Sequence, residues 1–312
     1  METYSVPRHL WRAFYPMLIY LGMQVLVTIV AVCVRIIPHI TSLVMANNGA
    51  IPDPAVYAEF IESTTAWAMG SSSFFLLIAC VLCLAPFLPI WHKTPKVLVH
   101  YEEQKPALLL LFSVVAFWGF NMLLSFIFDI TDITRFFPSY ENIIQALSGG
   151  SLAIRFLAIV IAGPFIEELC FRGIILNRLQ AWTGKWTAVL IQALLFGLVH
   201  LNLFQGLYAA IFGFALGYLY VRFRKLWLCV AGHMAFNSIA FMLMFLDERG
   251  AEISTWSLLP GVIIFAAGAY FLAKQPPAMI IEAPADEEPA EGAVEACADV
   301  PVGESAEINI HP

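Results

Sequence analysis

The chain has 312 residues, 60% of them apolar and only 12% charged, against about 45–50% and about 25% in soluble domains. So little polar surface cannot cover a water-soluble globule, whereas lipid accepts an apolar exterior, and an ordinary soluble enzyme is excluded. The net charge of −7 sits in the tail, where nine acidic residues from Glu282 to Glu307 stand without a Lys or Arg; the body keeps 16 basic and 14 acidic residues, which is no basic footprint for nucleic acid.

A helix needs about 20 apolar residues to cross the hydrocarbon core. Eight segments are predicted to do so, making an all-α polytopic membrane protein with about eight transmembrane helices. They run Phe14–Ile37, Trp67–Ile90, Ala107–Phe128, Leu152–Leu176, Trp186–Leu201, Gly206–Val221, Trp227–Leu246 and Trp256–Ala273, the fifth and sixth being short. The first run is too long for a cleavable signal peptide, and none is expected. Cys80 and Cys83 form a CxxC inside an apolar run and are read as small hydrophobes.

Basic residues occupy alternate connections: Arg8 and Arg12; Lys93, Lys96 and Lys105; Arg178 and Lys185; Arg222, Arg224 and Lys225; and Lys274. The intervening ones carry Asp53, Glu59 and Glu62, then Asp129, Asp132 and Glu141, then Asp247 and Glu248. By the positive-inside rule both termini are expected in the cytoplasm, with the chain integral to the plasma membrane. Residues 1–150 are read as three N-terminal transmembrane helices with their loops and 151–275 as a five-helix core. Residues 276–312, rich in Ala, Glu and Pro, are read as an acidic disordered tail.

An ionisable side chain deep in a span costs about 2.5–3.5 kcal/mol on insertion scales, so its presence points to function. Such groups fall in the fourth, fifth and seventh spans. Glu167, Glu168 and Arg172 follow Pro164, which is expected to kink the helix. Glu168 and Arg172, four apart, share a face and are expected to pair. Glu167 points elsewhere and keeps a carboxylate for chemistry. His200 lies near the end of the fifth span, and His233 and Asn237 share one face of the seventh. Two imidazoles, an amide and a carboxylate suit hydrolysis: Glu167 takes a proton from water with help from His200, while His233 and Asn237 hydrogen-bond the oxyanion. Each group alone has a structural reading, as helix glue or an interfacial residue; the case rests on their occurring together.

These motifs resemble those of the CAAX-processing and bacteriocin-processing (CPBP, or Abi) family, which includes the type II CAAX prenyl proteases. The pattern EExxxR spans Glu167 to Arg172, FxxxH runs from Phe196 to His200, and HxxxN from His233 to Asn237, the whole within about Leu152–Ala240. The resemblance implies an eight-span helical fold and endopeptidase chemistry on a membrane-associated protein or peptide. It also implies Glu167 and His200 acting on water, His233 and Asn237 at the oxyanion, and Glu168 and Arg172 in support. HExxH is absent, and no cofactor is favoured; Glu167, His200 and His233 as three ligands to Zn²⁺ is the alternative. The competing function is a non-enzymatic binding, immunity or scaffolding protein that keeps the polar cluster. The chain's end, Asn309-Ile310-His311-Pro312, is not itself a prenylation signal.

Overall fold

The computed structural model describes residues 6–46, 53–100, 104–251 and 253–280. The acidic segment 281–312, expected to be disordered, lies outside the described residues, as does Cys297. Among the described residues the architecture is all-helical apart from one pair of two-residue strands.

Helix α1 (Val6–Ala46) has 41 residues and outlasts a bilayer crossing. Helix α2 (Pro54–Gly70) starts where Asp53 accepts the Ala55 N–H at 2.8 Å and Pro54 takes the first position, a favoured N-terminal arrangement. Helices α3 (Ser72–His92) and α4 (Pro106–Thr131) are each long and apolar enough to cross a bilayer. A short helix α5 (Ser139–Ser148) then turns by 120° into α6 (Leu152–Gln180). Next come helices α7 (Lys185–Leu198), α8 (Leu203–Phe223), α9 (Leu226–Asp247) and α10 (Pro260–Lys274).

Among the described residues six helices are long and apolar enough to span, or seven if α5 and α6 form one broken crossing. This differs from the eight comparable spans expected. With 14 residues, α7 is about 21 Å long, well short of a hydrocarbon core of about 30 Å. It stops because residues 199–202 form a turn: Leu201 adopts φ +53°, and the Asn202 side chain accepts the Gln205 N–H at 3.0 Å to start α8. The hairpin is tight, since a Cβ on Gly197 would stand 2.4 Å from the Gly206 carbonyl oxygen; small residues allow such an approach.

Polar contacts sort the helix ends into two layers. At one end Arg178 donates to the Arg12 carbonyl (2.5 Å), Arg224 to Gln180 (2.7 Å) and Arg222 to the carbonyls of Ala273 and Gln275. At the other, Arg155 binds Glu248, Asn202 donates to Ser139 (3.0 Å) and Thr255 to Asp129. Basic and acidic connections thus lie at opposite ends. The first residues of the segment read as a free tail are paired at the basic end. Strand β2 (Met279–Ile280) lies antiparallel to β1 (Val99–His100), the Ala278 N–H donates to the Arg222 carbonyl, and Gln104 donates to the Pro276 carbonyl.

Candidate active site

The kink expected at Pro164 takes the form of two register changes in α6. Leu157–Ala162 and Leu169–Leu176 are π-helical and flank the α-helical turn Gly163–Glu168. Wide turns of this kind recur at functional sites. In the first of them the Gly163 N–H reaches back five residues to the Ala158 carbonyl. The next donor in that register would be residue 164, a proline with no N–H, which leaves the Ile159 carbonyl unserved. Asn237 Nδ2 donates to it at 2.9 Å. The amide expected at the oxyanion therefore commits one proton to the backbone of α6.

Glu168 and Arg172 pair as expected, with Nη1 donating to Oε1 at 2.7 Å, and both side chains are completely buried. Arg172 Nη2 donates to the Gly213 carbonyl at 3.0 Å, which also accepts from Gln192 at 2.9 Å, and the guanidinium lies 4.6 Å above the Phe196 ring. Glu168 Oε1 further accepts from His233 Nδ1 at 2.8 Å. That bond fixes the imidazole's orientation and turns Nε2 towards Glu167, whose Oε2 is 3.6 Å away. Glu167 keeps 16% of its side chain exposed, in contrast to Glu168.

His200 sits in the turn after α7. Its Nδ1–H donates to the Phe196 carbonyl at 2.7 Å, so a neutral ring offers Nε2 as an acceptor. The Phe196 ring lies edge-on between the imidazoles, 5.1 Å from His200 and 5.8 Å from His233 by centroids. From this turn His200 lines the same chamber as His233.

That chamber is a cavity of about 800 Å³ lined by Glu167, His200, His233 and Asn237 together with Tyr20, Asn121, Pro164 and Phe196. Glu168 and Arg172 are not among its lining residues; they stand behind His233. Tyr20, from α1, escapes sequence reasoning: its hydroxyl donates to Glu167 Oε1 at 2.7 Å across 147 positions, and a tyrosine in an apolar helix gives no signal of this. Among the described residues no group of three His, Cys, Asp or Glu side chains is arranged to hold a metal ion.

Residues 149–239, which hold this whole cluster apart from Tyr20 and Asn121, match the family model "Type II CAAX prenyl endopeptidase Rce1-like". The chain is also 27% identical over 172 residues, 54% of its own length and 70% of the relative's, to a Bacillus subtilis (strain 168) protein named "Putative membrane peptidase YdiL". No solved structure matches it. The polar constellation in apolar helices and these two similarities agree on a membrane peptidase, with residues 149–239 similar to the Rce1-like type II CAAX prenyl endopeptidases.

Proposed function

We propose that the protein is an intramembrane endopeptidase that hydrolyses a membrane-associated protein or peptide with water activated by Glu167 and His200. The observation that supports this best is the gathering of a half-buried carboxylate, two imidazoles and an amide on one cavity large enough for a peptide segment. Glu167 takes the proton of the attacking water, with His200 Nε2 as the second acceptor. Tyr20 holds Oε1 of Glu167, which leaves Oε2 facing the cavity and His233.

As the water oxygen bonds to the scissile carbonyl carbon, negative charge develops on the carbonyl oxygen. Donors already in place stabilise such charge most when water is excluded. His233 serves here when Nε2 carries a proton, and the Glu168 carboxylate on Nδ1 stabilises the resulting imidazolium as a triad carboxylate does. The second Nδ2 proton of Asn237 is the other candidate donor. Collapse of the tetrahedral species breaks the C–N bond, and the proton held by Glu167 passes to the leaving amine.

The mechanism proposed is metal-free. We place the protein in the plasma membrane with its basic end, and so both termini, in the cytoplasm. Purified protein in nanodiscs, given a panel of membrane-anchored reporter peptides, is expected to release products identified by mass spectrometry. Glu167→Gln is expected to release none, and strong chelators to leave wild-type cleavage intact. Wild-type cleavage no faster than that of Glu167→Gln overturns the role of Glu167, and loss of activity together with a stoichiometric metal overturns the metal-free reading.

A further inference from the structure

The cavity is one-sided. On each helix that lines it, the lining residues come from the part leading to the acidic end. Helix α4 contributes Asn121 to Asp129, α8 contributes Gln205 to Phe212, and α9 contributes His233 to Asp247. Along α6 and α9 the lining residues farthest from the acidic end are Glu167 and His233, whereas Asp129, Asp247 and Ile253 line the cavity at or beyond the helix termini of that end. From His233 to Asp247 is 14 positions, a shaft about 20 Å deep at 1.5 Å per residue.

Towards the basic end, among the described residues, the interior is filled. Phe171, Ile175, Leu179, Val189, Leu216 and Phe223 are completely buried and belong to one continuous core. Beneath that core the connections carry Lys93, Lys96, Arg178, Lys185, Arg222 and Lys225. A close-packed floor of side chains leaves no path for a polypeptide.

Lys and Arg mark the cytoplasmic side of a membrane protein. We infer that the peptidase takes its substrate from the extracytoplasmic side: a peptide segment exposed beyond the outer face enters between Asp129 and Asp247 and descends to Glu167. This deepens the proposed function and rests on its orientation and its catalytic cavity. A substrate whose cleavable segment lies only in the cytoplasm has no route to this carboxylate.

Cysteine labelling tests this with Cys33 and Cys297 replaced by serine and a membrane-impermeant maleimide applied to spheroplasts or to inverted vesicles. Lys96→Cys and Asp132→Cys report orientation, Ser125→Cys reports access to the cavity wall, and Leu243→Cys replaces Ser125→Cys should that variant fold poorly. The expected result is labelling of Asp132→Cys and Ser125→Cys from outside and of Lys96→Cys only in inverted vesicles. A labelled wall position should cut turnover roughly tenfold or more relative to the same variant unlabelled, because the adduct fills space the substrate needs. Asp132→Cys labelled only in inverted vesicles overturns the orientation and the inference with it. Correct orientation with Ser125→Cys reached only from the cytoplasmic side, or from neither, overturns the inference alone, as does full labelling with unchanged turnover. Labelling needs no catalysis, so a wild type that cuts nothing defeats the catalytic reading without deciding the side of entry.

Discussion

The Tyr20 hydroxyl donates a 2.7 Å hydrogen bond to Oε1 of Glu167, joining the first helix of the chain to the acidic pair of the sixth. Tyr20 is buried, with 3% of its surface exposed, and the bond ties one carboxylate oxygen while Oε2 faces His233. The family-matched region begins at residue 149, so a residue well outside it shapes the site.

Tyr20→Phe keeps the ring and removes only the donor. A hydrogen bond to a charged group contributes about 1.5–3 kcal/mol, so kcat is expected to fall roughly 10- to 100-fold with KM and thermal stability little changed. Steady-state kinetics on the variant check this; kcat within a factor of two of wild type would show that Tyr20 only packs.

Arg172 serves Glu168, the Gly213 carbonyl and the face of Phe196 at once. Arg172→Ala strands Glu168 and His233 in the core, and breaking a buried pair costs about 3–5 kcal/mol. Poor yield and a lowered Tm are expected, with Arg172→Lys intermediate because one ammonium cannot reproduce a planar fork. A normally folded Arg172→Ala protein that has lost only catalysis would reverse this assignment.

Much of this was legible in the residues. The alternation of basic and acidic connections marked the two ends of the bundle, because lipid and the translocation machinery act on charge directly. Glu167, Glu168, Arg172, His200, His233 and Asn237 stood out because each is expensive in hydrocarbon. The bond from His233 to Glu168 and the one from Tyr20 were not visible, since contacts 65 and 147 positions apart leave no local pattern. Nor were the wide turns of α6: a helix apolar nearly all round has no periodicity for a register change to disturb. The early end of α7 was visible only in part: the fifth span reads as short, but nothing in the chemistry of Leu201 announces a positive φ.

At the acidic end Arg155 donates two hydrogen bonds to Glu248, at 2.9 and 2.5 Å. These bonds hold the Glu248 carboxyl below the usual carboxylate range, against some opposing burial and with help from Ser148. A folded pKa below the unfolded one means that the unfolded chain binds more protons between the two values, so stability rises with pH across that window. The contribution is complete above the unfolded value, about 4.3, and is lost as pH falls through the depressed one. Glu248→Gln should melt below wild type at neutral pH, and the gap should close on acidification. A difference in Tm that stays constant through the acid range would remove this linkage.

Truncation at two points isolates the contribution of residues 276–280. Ending the chain after Ile280 keeps the strand pair, the bond from the Ala278 N–H to the Arg222 carbonyl and that from Gln104 to the Pro276 carbonyl, whereas ending it after Gln275 removes these three features. At about 0.5–1.5 kcal/mol per hydrogen bond, the shorter form should melt several degrees lower, as thermal unfolding in detergent would show. Equal melting of the two forms would mean that these five residues contribute nothing.

Asn237 and Pro164 are coupled through the Ile159 carbonyl, which one residue cannot serve and the other does. Asn237→Ala leaves that buried acceptor without its donor, at a cost of about 1–3 kcal/mol. Pro164→Ala supplies a backbone N–H at the position from which the wide turn lacks one, so the double variant should be hurt less than the sum of its parts. Neighbours that share a partner show interaction energies of about 0.5–3 kcal/mol in such cycles, which Tm or denaturant midpoints in detergent can resolve. Activity gives a second readout: if Asn237 also faces the oxyanion, the double variant recovers stability without recovering kcat. If both recover, the amide serves the helix backbone alone; strict additivity in stability would show that Ile159 does not link the two positions.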